Sequence, residues 1–178
     1  MAAASESGRP ARLVPDLPLP AYAHVPGQTP HPLSDPRGHS FGKLPERPEP
    51  PDPDHGLACR AYLYGIDLFN HGYYWESHES WEGLWHACGR TGILADFLKG
   101  LIQLAAAGVK HREGRPQGVR SHARRAADLW QGMVRSLGAG SDSFLGLRLG
   151  ELIGLAEAVC QTGWPANAPV LLPTYGGE

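Results

Sequence analysis

Cysteine is scarce in this sequence, with three among 178 residues. Cys59, Cys88 and Cys160 are widely spaced and form no Cys-x-x-Cys pair, so a zinc site built from cysteines alone is excluded. An odd number of isolated cysteines is typical of a protein in a reducing compartment. The first ten residues also lack the apolar core of a signal peptide. We therefore expect a cytoplasmic location.

Long apolar runs and a large excess of either charge are also missing. A membrane helix needs about 18–20 apolar residues, whereas the apolar segment 94–109 is interrupted by Asp96, Lys99 and Gln103. The formal net charge of −2 argues against binding to nucleic acid or to an anionic membrane. No Ser-His-Asp order, phosphate-binding loop or dinucleotide fingerprint is present. A small-molecule ligand and a homo-oligomer are the partners left open.

Proline is concentrated at the N-terminus, where residues 1–56 hold 13 of the 17 prolines. Proline has no backbone N–H, so helices and central strands are not expected there. We expect residues 1–56 to form a Pro-rich extended arm that is partly disordered, with the disorder in residues 1–14. In residues 17–44, apolar side chains and His24, His31 and His39 recur between prolines. This pattern predicts that residues 17–44 pack on the folded domain.

Helical periodicity dominates the rest of the chain. The predicted helices are approximately residues 54–69, with Asp54 or His55 at the start, then 73–87, 93–112, 116–137 and 147–160. No segment shows the alternation of a strand. The sequence thus predicts an all-α fold, a compact array of four to five helices over residues 57–162. An irregular tail is expected over residues 163–178.

The third predicted helix is apolar on nearly every side, which indicates a central and mostly buried helix. Its polar residues form one narrow strip: Asp96, Lys99, Gln103 and Lys110. We expect Ile102 and Leu104 to be buried. Its glycine and alanine residues have small side chains, so that neighbouring helices can approach closely.

The second predicted helix carries most of the chemistry. His78 and Glu82 are four residues apart and share one stripe of a helix with 3.6 residues per turn. Three of the five tryptophans surround this stripe. Ionisable groups among aromatic side chains must be paired, hydrogen-bonded or bound to a metal when they are buried. We therefore place the candidate functional site on this helix.

Two motifs in this part of the chain resemble a known family. The first is Phe69-Asn70-x-Gly72-x-Tyr74-x-Glu76-x-His78-Glu79-x-x-Glu82-x-x-Trp85, and the second is Phe97-Leu98-Lys99-Gly100-Leu101-Ile102-Gln103-Leu104-Ala105-Ala106, followed by His111. Over about residues 57–138 the chain resembles the domain of unknown function 309 family. These are small helical bacterial and archaeal proteins, sometimes labelled predicted metal-dependent hydrolases. The resemblance implies an all-α fold and assigns no activity.

The sequence His78-Glu79-Ser80-Trp81-Glu82 has the spacing of the zincin helix, with glutamate in the second ligand position. This spacing predicts a divalent zinc, iron or manganese ion bound by His78 and Glu82, with Glu79 as general base of a metal-dependent hydrolase. We expect a further ligand from elsewhere, with His111, Gln103, Asn70 or a histidine of the arm as candidates, of which His111 also matches the family motif. The remaining candidate site residues are Asn70, Glu76, Trp85 and Gln103.

The alternative is a non-catalytic helical binding or assembly module. In this interpretation His78, Glu79, Glu76 and Gln103 form a buried polar network that ties two helices together. A third ligand within reach of His78 and Glu82 favours the metal site. An apolar cover over the same pair favours the structural network.

Overall fold

The computed structural model describes residues 9–43, 48–53, 55–138, 140 and 142–174. Among these residues, the regular secondary structure consists of helices and one very short hairpin, which confirms the predicted all-α fold. Five α-helices follow in chain order: α1 Arg60–Asn70, α2 Tyr74–Ala87, α3 Ile93–Arg112, α4 Pro116–Leu137 and α5 Leu149–Thr162. A 3₁₀-helix, Gly56–Ala58, precedes α1. The short strands β1 Ser143–Phe144 and β2 Leu147–Arg148 pair in antiparallel orientation between α4 and α5.

Three helices begin later than the sequence predicts, α2 by one residue only, whereas α3 and α4 have the predicted ends. α1 begins at Arg60 because Cys59 is in an extended conformation, with φ −77° and ψ 100°. Asp54, a predicted start of this helix, lies outside the described residues. α5 begins at Leu149 because the two preceding residues form β2. The hairpin is closed by Leu145 and Gly146, which both have positive φ angles.

α3 lies at the centre of the helical array, packed against α2 and α4, while α1 packs on α2 and α5 on α4. Ile102 and Leu104 are buried, as predicted. The approach of α4 depends on Gly100, because a Cβ atom there would collide with the indole of Trp130. The Nε1 atom of Trp130 donates a hydrogen bond to the carbonyl oxygen of Phe97 at 3.3 Å. In the described part of the chain, no helix combines the length and apolarity needed to cross a membrane.

The arm, residues 9–43, is held on the helical array by two buried carboxylates. Asp67 of α1 is 1% exposed and accepts the backbone N–H groups of Leu13 at 2.7 Å and Val14 at 2.9 Å. Glu76 of α2 accepts the backbone N–H of His24 at 2.8 Å. A proline-rich segment has few backbone donors, and these carboxylates bind three of them. The arm therefore forms specific polar contacts as well as apolar ones.

The prediction of disorder is wrong for residues 9–14. Val14 is 3% exposed and belongs to the main hydrophobic core. The Nε atom of Arg12 lies 3.6 Å from Oδ2 of Asp67. The ordering comes from a carboxylate 53 residues away, which no local pattern in the arm reveals. Residues 1–8, which belong to the same prediction, lie outside the described residues. The packing predicted for residues 17–44 is observed at His24 and Val25, which are both buried.

The C-terminal tail is irregular up to the last described residue, and it packs on the end of α1. Asn70 makes two hydrogen bonds to the backbone of Leu171. Its Oδ1 accepts the N–H of Leu171 at 2.7 Å, and its Nδ2 donates to the carbonyl oxygen at 2.8 Å. Leu171 is 3% exposed in the core. Asn70 thus joins the α1–α2 turn to the tail.

The role of Asp67 leads to a stability prediction. Asp67→Asn replaces one acceptor oxygen by an amide nitrogen, so one of the two buried N–H groups of the arm loses its partner. We expect the free energy of unfolding to fall by about 1–3 kcal/mol, measured by urea unfolding of the full chain. Asp16→Asn is the control, because Asp16 pairs with Arg60 on the surface. Equal losses in the two variants would contradict the anchoring role of Asp67.

Candidate functional site

Three side chains of α2 converge on its surface. One ligand atom from each of His78, Glu79 and Glu82 lies within 4.8 Å of the other two. The side chains of His78 and Glu79 are 26% and 39% exposed. The structure therefore brings together the predicted ligand pair and the predicted base, in a position that solvent reaches. We call these three residues the α2 cluster.

The orientation of α2 is fixed by its contacts with α1. The Nε1 atom of Trp81 donates to the carbonyl oxygen of Tyr62 at 3.3 Å, and Trp81 is fully buried. Ser77 Oγ donates to the carbonyl oxygen of Gly65 at 3.0 Å. Gly65 must lack a side chain because a Cβ atom there would collide with the Trp81 indole. With this face of α2 held against α1, the α2 cluster remains at the surface.

The imidazole of His78 is incompletely satisfied. Its Nδ1 lies 3.3 Å from Oε1 of Glu79. This atom is buried, and it has no properly aligned hydrogen bond to any described residue. Because a buried polar atom without a partner is destabilising, the geometry suits an additional ligand. A metal ion close to an imidazole nitrogen and carboxylate oxygens would supply one.

A second histidine, His122 of α4, lies across α3 from α2. Its Nδ1 is 2.8 Å from Oε1 of Gln103, the predicted candidate on α3. Burial lowers the pKa of His122, and the positive charges of Arg125 and Lys110 lower it further, against an opposing effect of Glu113. The sequence analysis missed His122. Its position three residues after the buried Val119, on the apolar face of α4, was the available signal.

Trp85 connects the α2 cluster to α3. The Nζ atom of Lys99 lies 4.1 Å from the centre of the Trp85 ring. Such a cation–π contact is favourable because the ring face carries negative charge. Trp85, a predicted site candidate, is therefore placed beside Glu82 by the helix and beside Lys99 by packing.

His111, the predicted third ligand, is not among the ligand atoms of the α2 cluster. It is exposed and stacks on Trp164, with ring centres 5.8 Å apart and planes 16° apart. α2 and α3 run in opposite directions, so the end of α3 lies beside the start of α2, where Arg112 is 5.6 Å from the Tyr74 ring centre. This antiparallel packing separates His111 from His78. Burial and the charge of Arg112 lower the pKa of His111.

Asn70 and Glu76, the remaining predicted candidates, lie elsewhere. Asn70 binds the tail, as described above. Glu76 is buried under the arm, with Oε1 3.1 Å from Nε2 of His39 and 2.8 Å from the backbone nitrogen of His24. Its Oε2 is buried and has no hydrogen-bond partner among the described residues. Both residues therefore connect the helices to other segments of the chain.

Comparison with known proteins identifies one family. The model of a family described as Domain of unknown function (DUF309) matches residues 62–122. This match confirms the resemblance found in the sequence, over a segment that contains the α2 cluster, Gln103 and His122. No curated protein matches the chain. Because the family description assigns no activity, function has to be argued from the geometry of the site.

The surroundings of His122 lead to a prediction about its titration. We expect NMR titration to give a pKa below the ordinary value of about 6.5, because burial and nearby positive charges disfavour the protonated ring. Arg125→Gln removes one of these charges and should raise the pKa of His122. Arg124→Gln removes another exposed charge of α4 and should change the pKa of His122 less. The same shift in both variants would show that the effect of Arg125 is not local.

Proposed function

We propose that this chain is a metal-dependent hydrolase that binds a divalent ion on α2. The observation that carries the proposal is the convergence of ligand atoms from His78, Glu79 and Glu82 within 4.8 Å. His78 and Glu82 are the proposed ligands, because residues four apart on a helix point to the same side. Glu79 is the proposed general base.

The donor set limits the choice of ion. An imidazole nitrogen combined with carboxylate oxygens suits zinc, iron or manganese. When bound, such an ion acts as a Lewis acid and makes water a stronger acid. Glu79 accepts the proton that the attacking water loses and returns it to the leaving group. The partial exposure of His78 and Glu79 gives water and substrate access to the site.

The alternative, a non-catalytic module with a structural polar network, requires that the network be closed and satisfied. The α2 cluster does not have this character, because Nδ1 of His78 lacks a hydrogen bond and the side chains reach solvent. Asn70 does have a purely structural environment, and Glu76 binds the arm. Of these two, only Asn70 has both side-chain polar atoms hydrogen-bonded, since Oε2 of Glu76 has no partner among the described residues. The contrast with Asn70 supports a different role for the α2 cluster.

The first test is metal binding. We expect the purified full chain to bind zinc or manganese and to melt at a higher temperature as the ion is added. Binding to the folded state alone stabilises it by about 2.7 kcal/mol at an ion concentration of 100 Kd. His78→Ala and Glu82→Gln should remove this increase. Calorimetric titration and thermal melting measure the two effects.

His86→Ala is the matched control, because His86 is an exposed histidine on the same helix outside the α2 cluster. It should bind the ion as the wild type does. Absence of zinc, iron and manganese binding by the wild type would refute the proposal. If His78→Ala then lowered stability with or without metal, the structural network would be the better explanation.

The second test concerns Glu79. We expect Glu79→Gln to keep metal binding, because the proposed ligands remain, but to lower kcat by about 10²–10⁴-fold through loss of the base. Metal-dependent hydrolysis of p-nitrophenyl phosphate and p-nitrophenyl acetate provides the assay. Unchanged kcat in the metal-loaded variant would exclude Glu79 as the base.

A further inference from the structure

A shallow groove lies on α3 and α4. Its lining consists of Lys99, Gln103, Arg125, Asp128 and Leu129. The ammonium group of Lys99 also lies over the ring of Trp85, three residues after Glu82 on α2. The groove therefore lies on α4 and the polar strip of α3, and Lys99 connects it to α2 through the contact with Trp85.

The cations of this groove are not neutralised within the protein. In the described ranges, neither Lys99 nor Arg125 lies within ion-pair distance of a carboxylate. Elsewhere on the same surface, Lys110 and Arg115 lie 2.8 Å and 3.3 Å from Oε2 of Glu113. Asp128 lines the groove without pairing with either cation. Two cations against one acid give the groove a local positive charge, although the chain as a whole has a net charge of −2.

Gln103 also determines which nitrogen of His122 is available. Oε1 of Gln103 is an acceptor, so Nδ1 of His122 donates in their 2.8 Å hydrogen bond. The neutral ring then has its lone pair on Nε2. Among the described residues, Nε2 has no hydrogen-bond partner. The bond from Nδ1 fixes the position of Gln103, which lines the groove, whereas His122 itself is outside the groove lining.

From these contacts we infer that the groove binds an anionic group of the substrate, a phosphate or a carboxylate, between Lys99 and Arg125. Lysine supplies a point charge, and arginine supplies paired N–H donors that match two oxygens of the anion. The inference rests on the proposed function for the other end of the substrate, since the bond to be hydrolysed would lie at the α2 cluster. Asp128 repels the anion and lowers its affinity.

Titration of the full-length chain with inorganic phosphate, followed by NMR, tests the groove apart from the metal site. The protein is first stripped of metal with a chelator, and the chelator is then removed by dialysis. We expect Lys99→Gln and Arg125→Gln each to weaken phosphate binding by about fivefold or more, through loss of a charge-assisted contact. Asp128→Asn should strengthen binding, because it removes a repulsive charge.

Two further variants separate a specific site from general attraction to a basic surface. Arg124→Gln, on the exposed face of α4 outside the groove, should leave binding unchanged, and Lys99→Arg should preserve it. Acetate in place of phosphate distinguishes a carboxylate site from a phosphate site. Absence of saturable binding of both anions, or equal weakening by Arg124→Gln, overturns the inference. Because no metal is present, these outcomes are independent of the metal titration that tests the proposed function.

Discussion

The close approach of α3 to its two neighbours is the constraint on which the candidate site depends. Gly108 lies under the ring of Tyr74 from α2, and Gly100 lies under the indole of Trp130 from α4. A side chain at either glycine would overpack the contact, which commonly costs about 1–3 kcal/mol. At these short separations, Lys99 reaches a ring of α2. Larger side chains on α3 would push α2 and α4 away from it and widen the groove on α3 and α4.

The glutamates of α2 lie in two different environments, because the arm covers Glu76 and leaves Glu79 partly exposed. Glu76 lies under the arm, where it accepts a backbone N–H and meets His39. Further along the helix, beyond the arm, an added Cβ at Gly83 would make ordinary contact with Pro48. Glu79 lies on α2 between Glu76 and Gly83 and is still 39% exposed. The contacts on either side of it therefore leave the side chain of Glu79 open to solvent.

Local patterns gave the parts of the structure that depend on neighbouring residues. The ends of α3 and α4 and the shared stripe of His78 and Glu82 follow from helical periodicity, so they could be predicted. Contacts between distant segments could not. Asp67 bonds to Val14 across 53 residues of sequence, and Asn70 bonds to Leu171 across 101. No pattern in the sequence near either partner indicates these bonds.

The choice between His111 and His122 illustrates the same limit. His111 lies on α3 itself and His122 on α4, so the packing directions of the helices decide where each lies relative to α2. The motif favoured His111, whereas antiparallel packing places it beside the start of α2, against Trp164. His122 is placed by its bond to Gln103.

The distribution of partners over α2 explains how one helix accommodates three glutamates within seven residues. Like charges this close repel, and a buried carboxylate needs donors. At Glu76 the donors come from the arm, which shields the carboxylate from water. At the α2 cluster the imidazole of His78 lies beside Glu79, but its Nδ1 is not aligned for a hydrogen bond to any described residue. The arm supplies donors to Oε1 of Glu76 and covers this carboxylate, although its Oε2 has no partner among the described residues. The α2 cluster is open to solvent instead, which is why we propose it, and not Glu76, as the position for a cation from solution.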